Sequence, residues 1–297
     1  MPAVITIGEI LADLVPKGKF YILRAGGAVS NVAVNLARLK INTGIISKIG
    51  DDFLGKFLLN FLIKNNVNIS CVSKIKKYKT GLVFVFLDKK GERDFSFYGN
   101  PSADQFLDVK DIKEEYIKGC ELLHFGSISM IGHKSRAATL KAIKIARKYG
   151  KKISYDPNVR INLAENGIKK FRENIKKYFK YADIIKISED ELKFLFGLTA
   201  KQLSRKDIFR NKIVFVSCGA KGCYVKYNKI FEYVKGYKVK VIDTTGAGDA
   251  FMAGIIYKIL KMKLYKNENS INKKNLIAIA KFANKIGAKA VTKKGAV

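Results

Sequence analysis

Residues Asp243–Phe251 read DTTGAGDAF, and an apolar run, Met252–Leu260, follows at once. Gly246 and Gly248 let the backbone come close to a ligand. The helix expected after them aims its first unpaired amides, and the positive end of its dipole, at the same place. The stretch is therefore an anion cradle at a helix mouth. No Lys-Ser or Lys-Thr follows the glycines, which excludes a P-loop. Asp249 stands beside the cradle instead, where its charge repels an anion unless the chemistry needs a base there. Taking a proton from an alcohol while the alcohol attacks a phosphoryl group is such a need, with the amides of residues 246 to 248 stabilising the charge that develops. A plain turn followed by an Asp at a helix start has the same letters. On this stretch alone the two readings stand level.

The rest of the chain supplies a scaffold for such a site. Short β-rich runs (VITIG, GIISKIG, LLHFGS, KISYD, DIIKIS and IVFVSCG) alternate with longer amphipathic segments. That alternation predicts parallel strands joined by crossover helices: an α/β fold with a doubly wound, mostly parallel sheet. Val29, Val32, Leu36 and Leu39 fall at helical spacing, and residues 53–65 and 134–149 behave similarly. Two runs, TGLVFVFLD and RDFSFYG, break the rule. Joined by KKGE, with Phe95 and Phe97 alternating against polar neighbours, they predict a hairpin in a small separate sheet.

A chain of 297 residues with 48% apolar content can bury one large core, and one domain over residues 1–297 is expected. No apolar stretch reaches the roughly 18–20 residues that span a bilayer, and MPAVITIGEI lacks a charged leader, so a cytoplasmic protein is expected. Cys71, Cys120, Cys218 and Cys223 form no CxxC pair and read as reduced and structural. The formal charge of +32 would suit a nucleic-acid partner, yet arginine supplies only nine of the 57 basic residues, and the lysines spread along the whole chain. Solvated lysine surface is the preferred reading, and the alternative kept beside it is a basic field that draws in anionic small molecules such as nucleotides.

DTTGAGDAF resembles the second signature of the ribokinase-like (PfkB) carbohydrate kinases, and GGAVSNVAVNLARL, Gly26–Leu39, resembles their first. FYGNPSAD, LLHFGSISMI, SYDPNVR and KISEDELKFLFG are similar to stretches of the fructokinase branch. The resemblance runs from about residue 4 to the end. It implies an ATP-dependent sugar kinase with Asp249 as the base and Gly246, Ala247 and Gly248 as the anion hole. On the sugar side it implies Asp13, Gly26, Gly27, Asn31 and Arg160. On the nucleotide side it implies Ser188, Ser217, Gly219, Gly222, Asn284 and Gly287. Asp243 and Glu191 would serve the cations: Mg2+ carried with ATP, and K+ near the loop. A small β lid, built from about residues 12–25 and 79–103, would cover the sugar and carry a homodimer contact.

Five departures from the family pattern bear on these expectations. Ser188 stands where the NxxE pattern has Asn, Gly99 where fructokinases have Arg, and GGAVSN lacks the proline of GGAPAN. The segment LVPKGKFYILRA is short for the lid, and the chain ends a residue past KKGA, which would weaken adenine affinity or tail packing. The activity expected is phosphorylation of D-fructose on its 6-hydroxyl. The rivals are a 2-keto-3-deoxygluconate or ribose kinase, and a basic nucleic-acid-binding or regulatory protein on a retired kinase scaffold.

Overall fold

A computed structural model describes residues 1–87, 93–164, 167–266, 270–293 and 295–297. Along the chain come β1 (Val4–Ile7), β2 (Leu11–Lys17), β3 (Phe20–Gly26), α1 (Ala28–Arg38), β4 (Thr43–Gly50), α2 (Phe53–Lys64) and β5 (Val67–Ile75). Then follow β6 (Leu82–Leu87), β7 (Arg93–Tyr98), α3 (Glu114–Lys118), β8 (Leu122–Gly126), α4 (His133–Lys148), β9 (Lys152–Asp156), α5 (Ile168–Lys176), β10 (Ile184–Ser188) and α6 (Glu189–Phe196). The last third holds β11 (Ile213–Ser217), β12 (Gly222–Tyr227), β13 (Ile230–Lys235), α7 (Ala247–Lys261) and α8 (Lys273–Ala290).

Among the described residues, nine strands form the main sheet in the order β13-β12-β11-β10-β9-β8-β1-β4-β5. From β11 to β5 every pairing is parallel, while β12 and β13 add an antiparallel edge. All six β-rich runs read from the sequence are strands of this sheet. They read as nearly unbroken apolar runs because helices cover both faces. In β1, Ile5 and Ile7 pack into the cluster that holds Ala138 and Ala142 of α4, whereas Val4 meets Val32 and Leu36 of α1 and Met252 of α7. The chain steps away from β1 in both directions, to β4 on one side and β8 on the other. The crevice above their carboxyl ends is the switch point where open α/β sheets bind ligands.

Four strands form a second sheet in the order β3-β2-β6-β7. Its register puts Asp13 opposite Val83, and Val83 opposite Phe97, on one face. Phe84, Phe86 and Tyr98 lie on the other. LVPKGKFYILRA, expected to give a shortened piece, supplies most of two seven-residue strands paired from Leu11–Gly26 to Lys17–Phe20. The turn expected at KKGE, residues 89–92, lies outside the described residues.

Local chemistry sets the helix ends near the crevice. Asp52 caps α2 by accepting from the Gly55 amide, and it also accepts from the amide and hydroxyl of Thr80, tying the helix start to the strand that enters β6. Ser188 and Glu191 form a capping box at α6, which ends on Gly197 in the left-handed region. Among the described residues no helix is long and apolar enough to cross a membrane.

Candidate active site

Two cavities of about 590 Å³ each open above the carboxyl ends of the strands. The first lies between the main sheet and the inner face of the small one, where Leu11, Asp13, Val83, Phe95 and Phe97 face Asn31, Arg160, Lys186 and Asp249. The second lies beside α8 and β13 and is lined by Ser217, Gly219, Gly222, Phe251, Asn284 and Gly287 among others. Thr244 and Gly248 line both. A group passing from one cavity to the other therefore crosses the GAGD turn.

Gly246 adopts φ 71° and starts α7, so the turn needs its left-handed backbone. A Cβ there would also stand 2.5 Å from the carbonyl oxygen of Ala296, which lies against the turn. The amides of Gly246 and Gly248 fall among those a helix start cannot satisfy internally. Ala247 donates to the Thr244 carbonyl at 3.3 Å, a long bond. Asp249, in the first turn, is only 8% exposed and accepts a 2.8 Å hydrogen bond from Asn31 Nδ2. Burial pushes its pKa above the ordinary carboxylate value, opposed by Asn31 and by the charges of Lys186 and Arg160. A buried carboxylate with a raised pKa, aimed by an amide, is suited to accept a proton.

The two glycines of GGAVSN make room for the protein's own atoms. A Cβ on Gly26 would fall 2.2 Å from Asp13 Oδ2, and one on Gly27 (φ 98°) would meet the Glu9 carbonyl at 2.6 Å. Gly26 thus seats the Asp13 carboxylate and does not line the cavity. Arg160 packs its guanidinium 5.0 Å from the Phe95 ring centroid, bridging the main body to the small sheet.

The nucleotide-side positions divide in the same way. Gly219 (φ 55°) faces open space, whereas a Cβ on Gly222 would clash at 2.2 Å with the Val234 carbonyl, so that glycine serves the turn into β12. Asn284 donates to the carbonyls of Val234 and Lys235, fixing the end of β13 at the cavity wall. Ser188 caps α6 and lines neither cavity. Glu191 accepts from the amides of Val159 and Ser188, which fastens the DPNVR loop to the head of α6. Asp243 accepts from the amide and hydroxyl of Thr245 and from the Gly295 amide. Both carboxylates expected to serve cations therefore hold backbone, and among the described residues no group of three or more His, Cys, Asp or Glu is placed to bind a metal.

Sequence reasoning passed over a buried polar row beneath these cavities. Thr6, His124, Ser154, Asp156 and Lys186 sit on adjacent strands and are buried. Lys186 Nζ lies 3.0 Å from Asp156 Oδ2. Burial and the Lys186 charge lower the His124 pKa to about 3, so it stays neutral, with Nδ1 3.0 Å from Ser154 Oγ. The available signal was a lysine inside the apolar run DIIKIS, since an unpaired charge is costly in a strand covered on both faces.

The chain was compared with known proteins. A model described as the pfkB family carbohydrate kinase matches residues 2–297. A probable fructokinase-5 of Arabidopsis thaliana is 37% identical over 313 aligned positions, covering 100% of this chain and 93% of that protein. The fructokinase of Vibrio cholerae O395, solved with fructose, ADP and calcium, superposes with a TM-score of 0.89 at 35% identity over 99% of this chain and 94% of the other. The Xylella fastidiosa fructokinase with bound ATP gives 0.90 at 28% identity, covering 100% and 94%. With the doubly wound sheet, the separate small sheet and the GAGD turn in place, the chain belongs to the PfkB family of carbohydrate kinases.

Proposed function

We propose that the protein transfers the γ-phosphoryl group of ATP to the 6-hydroxyl of D-fructose, giving fructose 6-phosphate and ADP. One observation carries the reading: Asp249, buried and aimed by Asn31, stands where two cavities of similar size meet across a glycine-rich helix mouth. Fructose is favoured by the names of the relatives at 37% and 35% identity. In this mechanism Asp13, Asn31 and Arg160 hold the sugar in the first cavity, and the second takes the nucleotide. Asp249 accepts the hydroxyl proton as the sugar oxygen bonds to the γ-phosphorus and the bond to the ADP oxygen breaks. The amides of Gly246 and Gly248 face the charge on the transferred group. The small sheet closes the sugar cavity against water, which would otherwise take the phosphoryl group.

Mg2+ would neutralise the phosphates of ATP. Because Asp243 and Glu191 hold backbone amides, an ion arriving on the nucleotide and keeping its waters fits better than one caged by side chains. K+ beside the Asp243 loop belongs to the same proposal. So does a homodimer through the outer face of the small sheet, where Phe84 packs edge-on against Tyr21 and Tyr98, and where Phe86 and Tyr98 are exposed. A reducing cytoplasm suits the four unbridged cysteines.

A coupled ADP-release assay over fructose, ribose, 2-keto-3-deoxygluconate and nucleosides tests the reading. Turnover on another sugar without turnover on fructose ends it. Absence of all turnover, with salt-sensitive binding of DNA or RNA, would favour the retired-scaffold alternative. Asp249→Asn is expected to cut kcat by about 10²–10⁴-fold while ATP still binds.

A further inference from the structure

β10 brings a lysine to Gly248, which both cavities share. Its neighbours Ile184, Ile185 and Ile187 are buried and apolar, yet Lys186 extends beneath α7 until its ammonium lies against Gly248. A Cβ on Gly248 would stand only 3.0 Å from Nζ, with the Lys186 Cε at 3.7 Å the next nearest atom. The same side chain lines the cavity that holds Asp249 and Arg160. It is held from below by Asp156, at 3.0 Å and 3.2 Å from its two carboxylate oxygens. Asp156 Oδ1 also accepts from the Asn158 amide, so this carboxylate is fixed by the loop that carries Arg160.

We propose that Lys186 is a catalytic cation whose ammonium meets the phosphoryl group as it crosses Gly248, and that Asp156 is the positioning residue that aims it. This deepens the kinase reading and rests on it. The step balances without a proton from the lysine. The sugar oxygen forms its bond to the γ-phosphorus, the bond to ADP breaks, the hydroxyl proton goes to Asp249, and Lys186 stays protonated throughout. Burial opposes the charge on Lys186, but Asp156, Glu191 and Asp249 together raise its pKa above the ordinary lysine value. Asp156, Glu191 and Asp249 gather acidic groups near the head of α7, and Lys186 sets a positive charge among them on the side an incoming phosphate meets. The buried pair therefore differs from a structural ion pair: one end is anchored in the sheet and the other opens on the route of the anion.

The test separates the two roles. Lys186→Met removes the charge at nearly constant length, and the double variant Lys186→Met, Asp156→Asn also removes the carboxylate left unpaired. Three quantities are measured for each: kcat and sugar KM by coupled ADP release, affinity for MgATP and MgADP by titration calorimetry, and the urea midpoint. Lys186→Met is expected to lower kcat about 10²–10³-fold, the usual cost of one donor aimed at developing charge. Sugar KM should change less than about threefold, and affinity for MgATP should fall more than for MgADP. The double variant should regain stability but not kcat. A double variant that recovers kcat, or equal loss of affinity for MgATP and MgADP, would show a structural ion pair and overturn the proposal. If the wild type phosphorylates no sugar, the kinase reading fails first, and the MgATP-against-MgADP difference still decides the contact made by Lys186.

Discussion

Replacing Asn31 by leucine removes one hydrogen bond from the base while keeping the number and branching of side-chain heavy atoms. Asn31 Nδ2 donates to Asp249 Oδ2 at 2.8 Å in a buried setting. That bond stabilises the ionised carboxylate against the burial that raises its pKa, and Lys186 and Arg160 remain to do the same in the variant. A hydrogen bond to a charged group is worth about 1.5–3 kcal/mol. Its loss lowers the ratio of ionised to protonated Asp249 by a factor of about 10–100 at any fixed pH, since about 1.4 kcal/mol is tenfold. The sign follows from the role: a base works only when ionised, so the penalty must appear on the acid side and vanish at alkaline pH. The assay is kcat at saturating sugar and ATP from pH 5 to 9. At the acid end Asn31→Leu should be slower than wild type by about 10–100-fold, converging to within a few-fold at the alkaline end. A uniform loss of kcat across the range, with the acid limb unmoved, would show that Asn31 acts on the sugar alone and refute the coupling.

Three further outcomes follow from burial and close contact. Gly26→Ala should raise sugar KM about tenfold or more with little change in thermal midpoint, because the new Cβ displaces the Asp13 carboxylate 2.2 Å away; unchanged KM would remove Asp13 from the sugar site. Glu9 is held in its folded state by burial at a pKa of about 7 against an ordinary 4.5, with the charges of Asp104 and Asp249 adding to the effect. The folded protein thus keeps a proton that the unfolded chain releases, so stability falls as pH rises from 4.5 to about 7. Glu9→Gln should flatten that fall, by about 3 kcal/mol at most, in urea titrations at several pH values. Asp52 works the other way. Although burial opposes it, hydrogen bonds from Thr80 and Gly55 depress its pKa, so its stabilisation is complete above the ordinary carboxylate range and is lost as pH falls through the depressed value. Asp52→Ala should cost about 1–3 kcal/mol at neutral pH and progressively less in acid, read from the urea midpoint.

How much of this was legible in the sequence depends on the range of the contacts involved. The parallel strands were plain because burial on both faces writes an apolar run that needs no partner to be recognised. The antiparallel edge, β12 and β13, was not read. Its strands GCYVKY and IFEYVK mix charges with apolar residues, since Tyr233 is exposed and Val234 is buried. The hairpin of β2 and β3, expected as lid only through the resemblance, is invisible in the residue pattern for a related reason. Its pairing is local, but LVPK offers Pro16 and Lys17 where a buried strand would show alternation.

The site itself shows where one-dimensional reading stops. Gly246, Gly248 and Asp249 lie within four residues, so their chemistry can be reasoned from spacing alone. Asn31 and Asp249 are 218 positions apart, and only the packing of α1 against α7 makes them one device. For the glycines of GGAVSN, sequence shows that a Cβ is absent but not which atom occupies the space; Asp13 stands against Gly26 and the Glu9 carbonyl against Gly27, while Gly27 also lines the first cavity. The cation roles of Asp243 and Glu191 are implied only by the resemblance, since in sequence a carboxylate looks alike whether it holds an ion or two backbone amides. Lys186 gave the opposite signal: a charge inside an apolar strand has a desolvation cost that only a partner or a ligand offsets. Asp156 is that partner, and the place of the lysine in the cavity wall beside Gly248 is what makes a ligand the other half of the explanation.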